Sequence, residues 1–266
     1  MSARSAVDDL QEGIETLLGP QGCPWDREQT PKSLCDYLVE ETFELVEAIR
    51  CDKPQDVSEE LGDVMFLLAF ISRSYGGGAL LQQAMREGTQ KMIRRHPHVF
   101  DAKEINSRQE LTQNWEEIKK TEKNHARGYV LDSVPKSLPP LLMAYRINSK
   151  AARMGFTWAR DEDLEDKLVE EWQEWLEALE SRDREKMQEE FGDYLFTLVE
   201  YGRRHKIKAN SALAETNAKF ASRMQVMEDM AREKGWDISS LDMEHLEELW
   251  QKAKGGGGMG HWGLFL

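Results

Sequence analysis

Four carboxylates at helical spacing occur twice in this chain. Val39-Glu40-Glu41-Thr42-Phe43-Glu44 precedes Glu59-Glu60-Leu61-Gly62-Asp63, and 130 residues later Val169-Glu170-Glu171-Trp172-Gln173-Glu174 precedes Glu189-Glu190-Phe191-Gly192-Asp193. No Cys or His stands at matching positions, so the donors are oxygen alone. That set selects a hard cation: Mg²⁺ first, Mn²⁺ next and Ca²⁺ after them. At 100° per residue Glu40, Glu44 and Glu47 share one helix face, with Glu41 about 60° beyond Glu44 and Val39, Phe43, Leu45, Val46 and Ile49 opposite. A solvated amphipathic helix has the same appearance. The following segment differs, because Glu60 and Asp63 lead into Val64, Leu67 and Ile71 while Met65, Phe66, Leu68 and Phe70 fill the remaining faces. Such a helix is expected to be buried. Unpaired buried carboxylates cost several kcal/mol each, against roughly 0.3–1 kcal/mol gained from a helix N-terminus, so a cation is expected at both clusters. A di-iron bundle would need Glu-x-x-His pairs and an EF-hand alternating Asp/Asn with a central Gly; neither pattern is present.

Basic and aromatic residues recur with the acids. Lys91 and Arg95 share a helix face at i,i+4, as do Lys219 and Arg223, and a Trp-x-x-x-Lys element appears as Trp115/Lys119 and Trp250/Lys254. Lys and Arg at this spacing are commonly solvated, but beside a metal site they supply what a polyphosphate requires. Each Trp reads equally as a base-stacking ring or as a core residue under a snorkelling Lys.

Helical periodicity runs through nearly the whole chain, and no alternating β-branched run with turn signals interrupts it. The expectation is an all-α fold of two duplicated helical bundles. Helices are placed at 4–18, 32–50, 55–74, 79–95 and 107–126, then at 138–153, 161–180, 183–206, 209–234 and 242–254. Domains follow as 1–127 and 141–254, joined by a linker at 128–140 that holds Pro135, Pro139 and Pro140, with a Gly-rich, flexible tail at 255–266. Pro24 and Pro31 bracket the entry to the second helix, Pro54 marks the break between the acidic segments, and Pro97 ends the fourth helix.

The formal net charge of −14 argues against general affinity for nucleic acid or an anionic membrane surface. Cys23, Cys35 and Cys51 form no C-x-x-C pair and read as reduced thiols. With no apolar leader and no apolar run long enough for a bilayer, a cytoplasmic location is expected.

The doubled E-E-x-x-E and E-x-x-D pattern resembles that of the MazG-type nucleoside triphosphate pyrophosphohydrolases. Gly22-Cys23-Pro24-Trp25-Asp26-Arg27-Glu28-Gln29-Thr30, Arg94-Arg95-His96-Pro97-His98-Val99-Phe100 and Gly155-Phe156-Thr157-Trp158 extend the likeness over residues 10–254. The resemblance implies an Mg²⁺-dependent hydrolase of the all-α pyrophosphatase type. It would cleave nucleoside triphosphates between the α and β phosphates, and two chains would associate as a homodimer. It assigns the metal to Glu41, Glu44, Glu60 and Asp63 and to Glu171, Glu174, Glu190 and Asp193. Nucleotide contacts fall on Lys219, Arg223, Trp250 and Lys254, with Lys91, Arg95, Trp115 and Lys119 as counterparts. Glu40 and Glu170 are candidates to orient or deprotonate the attacking water. The second copy has no equivalent of His96-Pro97-His98, and a nucleotide-binding regulatory module without turnover is the competing reading.

Overall fold

The computed structural model describes residues 5–101, 107, 110, 111, 114, 115, 117, 118 and 129–255, and the chain divides into two compact units, Met1–Ala126 and Arg127–Leu266. Every regular element among the described residues is helical. The expected all-α class is therefore observed.

In the first unit α1 (Ala6–Leu18) leads to the short α2 (Pro24–Glu28), then α3 (Leu34–Arg50), α4 (Pro54–Gly76), α5 (Gly78–Arg95) and the short α6 (Pro97–Phe100). Pro24 and Pro97 open α2 and α6 at the first helical turn, where a missing N–H costs nothing. These short helices escaped sequence reading because one turn carries no periodicity. The helix expected at 107–126 lies largely outside the described residues. α3 and α4 form an antiparallel hairpin, and α1 and α5 both pack on α4. The core joins Ile14 of α1, Leu34 of α3 and Leu67, Ala69 and Phe70 of α4, with Leu10, Leu38 and Leu81 around it.

Between α1 and α2 the chain doubles back sharply. The Gly22 N–H donates to Gly19 O and the Cys23 N–H to Leu17 O, both at 2.9 Å. A Cβ on Gly22 would lie 2.0 Å from Leu17 O. Only glycine fits, and the turn delivers Trp25 and Asp26 to the side of α3.

The second unit contains α7 (Pro140–Arg153), α8 (Asp161–Ser181), α9 (Arg184–Arg204), α10 (Ala209–Glu233) and α11 (Met243–Ala253). In the stretch expected as a linker, residues 130–133 form a 3₁₀ turn, Val134 is buried, and the Lys150 ammonium donates to Val130 O at 3.1 Å and to the Ser133 hydroxyl. α8 and α9 form the second hairpin, with α7 against α9; the buried Asn148 amide donates to Phe196 O at 3.4 Å. α10 and α11 build a core of their own from Met227, Ala231 and Leu249, flanked by Trp236, Leu246 and Trp250.

The offset of 130 residues holds beyond the acidic motifs. Leu34 and Leu164, Ala48 and Ala178, and Ala69 and Val199 are buried pairs, and Asp52 and Arg182 both take left-handed backbone conformations, at φ 52° and 55°, where the two hairpins turn. One expectation is overturned. α4 is apolar all round, yet Leu61 is 47% exposed and Met65 and Leu68 are similarly open. Among the described residues α1, α3 and α5 pack on α4, and they leave these side chains outward.

Candidate active site

Hairpin geometry brings the carboxylates together. In the first unit Glu41 on α3 and Glu60 and Asp63 on α4 each direct an oxygen into a group whose members all lie within 4.8 Å of one another; in the second, Glu171 and Glu174 on α8 and Glu190 on α9 do the same. The two groups are not identical. Glu44 is exposed and outside the first group, and Asp193 is outside the second.

Burial of these acids is shallower than their sequence context suggested. Glu41 and Glu60 are half-buried and Asp63 is exposed, whereas Glu171 retains only 5% of its surface. The cause is the outward face of α4 and of its counterpart α9, whose Phe191, Phe196 and Leu198 are also exposed. A cation is therefore favoured by mutual repulsion among these acids together with their partial burial. Burial, then repulsion from Asp63, Glu44 and Glu40, pushes the Glu41 carboxyl above the usual range. Glu60 is raised by burial and then by Glu44 and Glu41, and Glu190 by burial and then by Glu174 and Glu189. Three oxygens within 4.8 Å fit a divalent ion with metal–oxygen distances of about 2.0–2.6 Å after small side-chain rotations. The donor set suits a hard divalent cation.

Beside the first group lies a pocket of about 190 Å³ lined by Glu41, Asp63, Trp25, Tyr37, Phe66 and Phe70, together with Asp26, Leu34 and Leu67. Trp25 and Tyr37 meet edge to face at 5.9 Å between ring centroids. Aromatic walls of this kind can pack against a planar ring. Trp25 belongs to the run at residues 22–30 that carries the family likeness, whereas Tyr37 stands outside every motif. The usable signal was spacing: Tyr37 stands one helical turn before Glu41.

In the second unit the same register carries different chemistry. Lys167 replaces Tyr37, and its ammonium lies 2.7 Å from Glu170 Oε1 and 3.1 Å from Glu171 Oε1. Thr197 and Glu200 replace Leu67 and Phe70. Glu200, 2% exposed, accepts from Arg203 Nε and Nη2 at 2.6 and 2.7 Å and from the Thr157 hydroxyl at 3.2 Å. Arg204 pairs with Asp161 and donates to Trp158 O at 2.8 Å. These bonds fasten the Gly155–Trp158 segment to α9.

The basic and aromatic candidates are partly assembled. Arg223 and Lys254 both lie over the Trp250 ring, each 5.5 Å from its centroid, with Phe220 at 5.1 Å; Lys219 is exposed one turn earlier on α10. Trp250 also packs against the Met227–Leu249 core, so its two readings are compatible. These residues occupy α10 and α11, whereas the acids occupy α8 and α9. In the first unit Arg95 lies over Trp115 at 5.9 Å, Lys91 is exposed, and Lys119 falls outside the described residues. Glu40 is exposed beside Glu41, while Glu170 is held by Lys167.

A family model for the MazG nucleotide pyrophosphohydrolase domain matches residues 29–100 and 160–227, one segment over each hairpin. The chain belongs to the MazG family. It is 38% identical over 253 residues to the nucleoside triphosphate pyrophosphohydrolase/pyrophosphatase MazG of Thermotoga maritima, covering 94% of this chain and 96% of that protein. To the nucleoside triphosphate pyrophosphohydrolase of Escherichia coli K12 it is 35% identical over 263 residues, covering 93% and 97%. It also matches YabN of Bacillus subtilis at 40% identity over 245 residues, 91% of this chain and 50% of that protein. The MazG family hairpins carry every one of the clustered carboxylates. No single helix among the described residues is long and apolar enough to cross a membrane.

Proposed function

We propose that this MazG family member hydrolyses nucleoside triphosphates to the monophosphate and pyrophosphate, with Mg²⁺ held by the carboxylates of each hairpin. The observation that carries this reading is the meeting of three carboxylate oxygens across two antiparallel helices, at equivalent places in both units. Glu41, Glu60 and Asp63 would hold the ion in the first unit and Glu171, Glu174 and Glu190 in the second, with Glu44 and Asp193 near enough in sequence to complete each set. A divalent ion held there would supply charge neutralisation for the phosphates and acidify the attacking water. Glu40 orients the attacking water in the first unit; Glu170 does so once nucleotide draws Lys167 away. The water oxygen adds to phosphorus, the bridging oxygen leaves with pyrophosphate, and the released protons pass to carboxylate and solvent. Arg223 and Lys254, set around Trp250, bind phosphate, and the ring stacks against the nucleotide. Around Trp25 and Tyr37 the first unit offers a second surface for a base.

Association of two chains would cover the outward apolar faces. Val39, Ile49, Leu61 and Leu68 and their counterparts Val169, Leu179, Phe191 and Leu198 are all exposed, so both copies present the same stripe. Exposed apolar area repeated at equivalent positions supports a homodimer, which sedimentation of the full chain tests.

Product analysis tests the reaction. Full-length protein is incubated with ribo- and deoxynucleoside triphosphates with and without EDTA, and products are followed by ³¹P NMR. Pyrophosphate and monophosphate that vanish with EDTA are expected. Orthophosphate with diphosphate, or saturable binding without turnover, would contradict the reading.

A further inference from the structure

The carboxylate clusters of the two units are related by the duplication but stand in opposite local fields. Tyr37, one turn before Glu41, brings no cationic group and lines the first pocket; Lys167, one turn before Glu171, bridges Glu170 and Glu171 at 2.7 and 3.1 Å. A second exchange has the same sign, because Asp56 of the first unit becomes Lys186, whose charge opposes the upward push that Glu174 exerts on the Glu190 carboxyl. Among the described residues, no Lys or Arg is paired with Glu41, Glu60 or Asp63.

The geometry points to Lys167 as a tethered cation of the second carboxylate site, which makes that site bind free divalent metal more weakly than the first. Its ammonium lies 3.1 Å from Oε1 of the buried Glu171, a carboxylate of the candidate metal group, so an ion there must displace or tolerate a positive charge a few ångströms away. Even at the high effective dielectric of a half-exposed site, that repulsion lowers affinity by about tenfold or more. Nucleotide reverses the balance, because its phosphates bring the negative charge that lets Lys167 and the metal coexist. The first unit then holds metal before substrate arrives, and the second acquires it together with substrate. This inference rests on the metal reading proposed above.

Mn²⁺ alone, titrated against the full chain and followed by electron paramagnetic resonance, separates the sites. In a Glu60→Gln, Asp63→Asn background only the second site binds, and there Lys167→Tyr and Lys167→Met should each tighten Mn²⁺ about tenfold while Lys167→Arg keeps the parental Kd. In a Glu190→Gln, Asp193→Asn background Tyr37→Lys should weaken the first site by a similar factor. If Lys167 served only to hold Glu171 in place, its removal would weaken binding, the opposite sign. Unchanged or weaker Mn²⁺ binding in both Lys167→Tyr and Lys167→Met overturns the inference and leaves the metal assignment intact. Absence of Mn²⁺ binding in both parental backgrounds overturns the metal assignment itself.

Discussion

Replacing Glu200 by Gln tests how the second unit uses the position that Phe70 fills in the first. Phe70 is fully buried in apolar surroundings, whereas Glu200, 2% exposed, holds Arg203 through two short hydrogen bonds and accepts a third from Thr157. The substitution leaves the Arg203 guanidinium facing a neutral amide. Removing one partner of a fully buried ion pair costs about 3–5 kcal/mol. Because the Arg203 side chain keeps 18% of its surface, water recovers part of that cost, and about 2–4 kcal/mol is expected. For a unit of this size the shift corresponds to a fall in Tm on the order of 10 °C. Scanning calorimetry of the full chain gives the number, and Thr157→Val, which deletes only the 3.2 Å bond, should cost about 1 kcal/mol. A loss below 1 kcal/mol for Glu200→Gln would refute the claim that this pair anchors the Gly155–Trp158 segment to α9.

Glu174→Gln and Asp193→Asn should each remove most pyrophosphate release in a protein whose first site is already disabled, while metal-free stability is unchanged or higher because like charge is relieved; undiminished turnover in both would contradict the ligand assignment. Glu41, Glu60 and Glu190 have folded-state pKa values above their ordinary 4.5, so between 4.5 and those raised values the folded chain binds more protons than the unfolded one. Metal-free stability therefore falls as pH rises through that window, and saturating Mg²⁺ should flatten or reverse the slope in thermal melts. Trp250→Phe should preserve the α10–α11 core and weaken nucleotide binding by about 1 kcal/mol, measured by calorimetric titration; an unchanged Kd would leave Trp250 with a packing role alone.

Much of this architecture was legible in residue order because the duplication supplied its own control. Helices long enough to show a 3.6-residue period were placed within two or three residues: 32–50 is observed as Leu34–Arg50 and 183–206 as Arg184–Arg204. α2 and α6 were not foreseen, since Pro24 and Pro97 read as breakers when they in fact start single turns. The carboxylates found across each hairpin all come from the two acidic motifs, because the tight turns at Asp52 and Arg182 fix the register between helices. Period alone could not decide exposure. A helix apolar on every side implies burial, but whether its last face meets the same chain or another one is a tertiary fact, and Leu61, Met65 and Leu68 are open. The roles of Tyr37 and Lys167 were equally hidden, because a pocket wall and a salt bridge appear only when side chains converge in space.

Pyrophosphate release by paired site variants decides whether these carboxylates carry the catalysis. Glu60→Gln with Asp63→Asn disables the first cluster, Glu190→Gln with Asp193→Asn the second, and the combination disables both. Mg²⁺-dependent pyrophosphate is expected from the parent, the second cluster supplying at least half of it, and none from the combined variant with its helical content intact. Pyrophosphate release that persists in the folded combined variant would contradict the assignment of catalysis to these carboxylates.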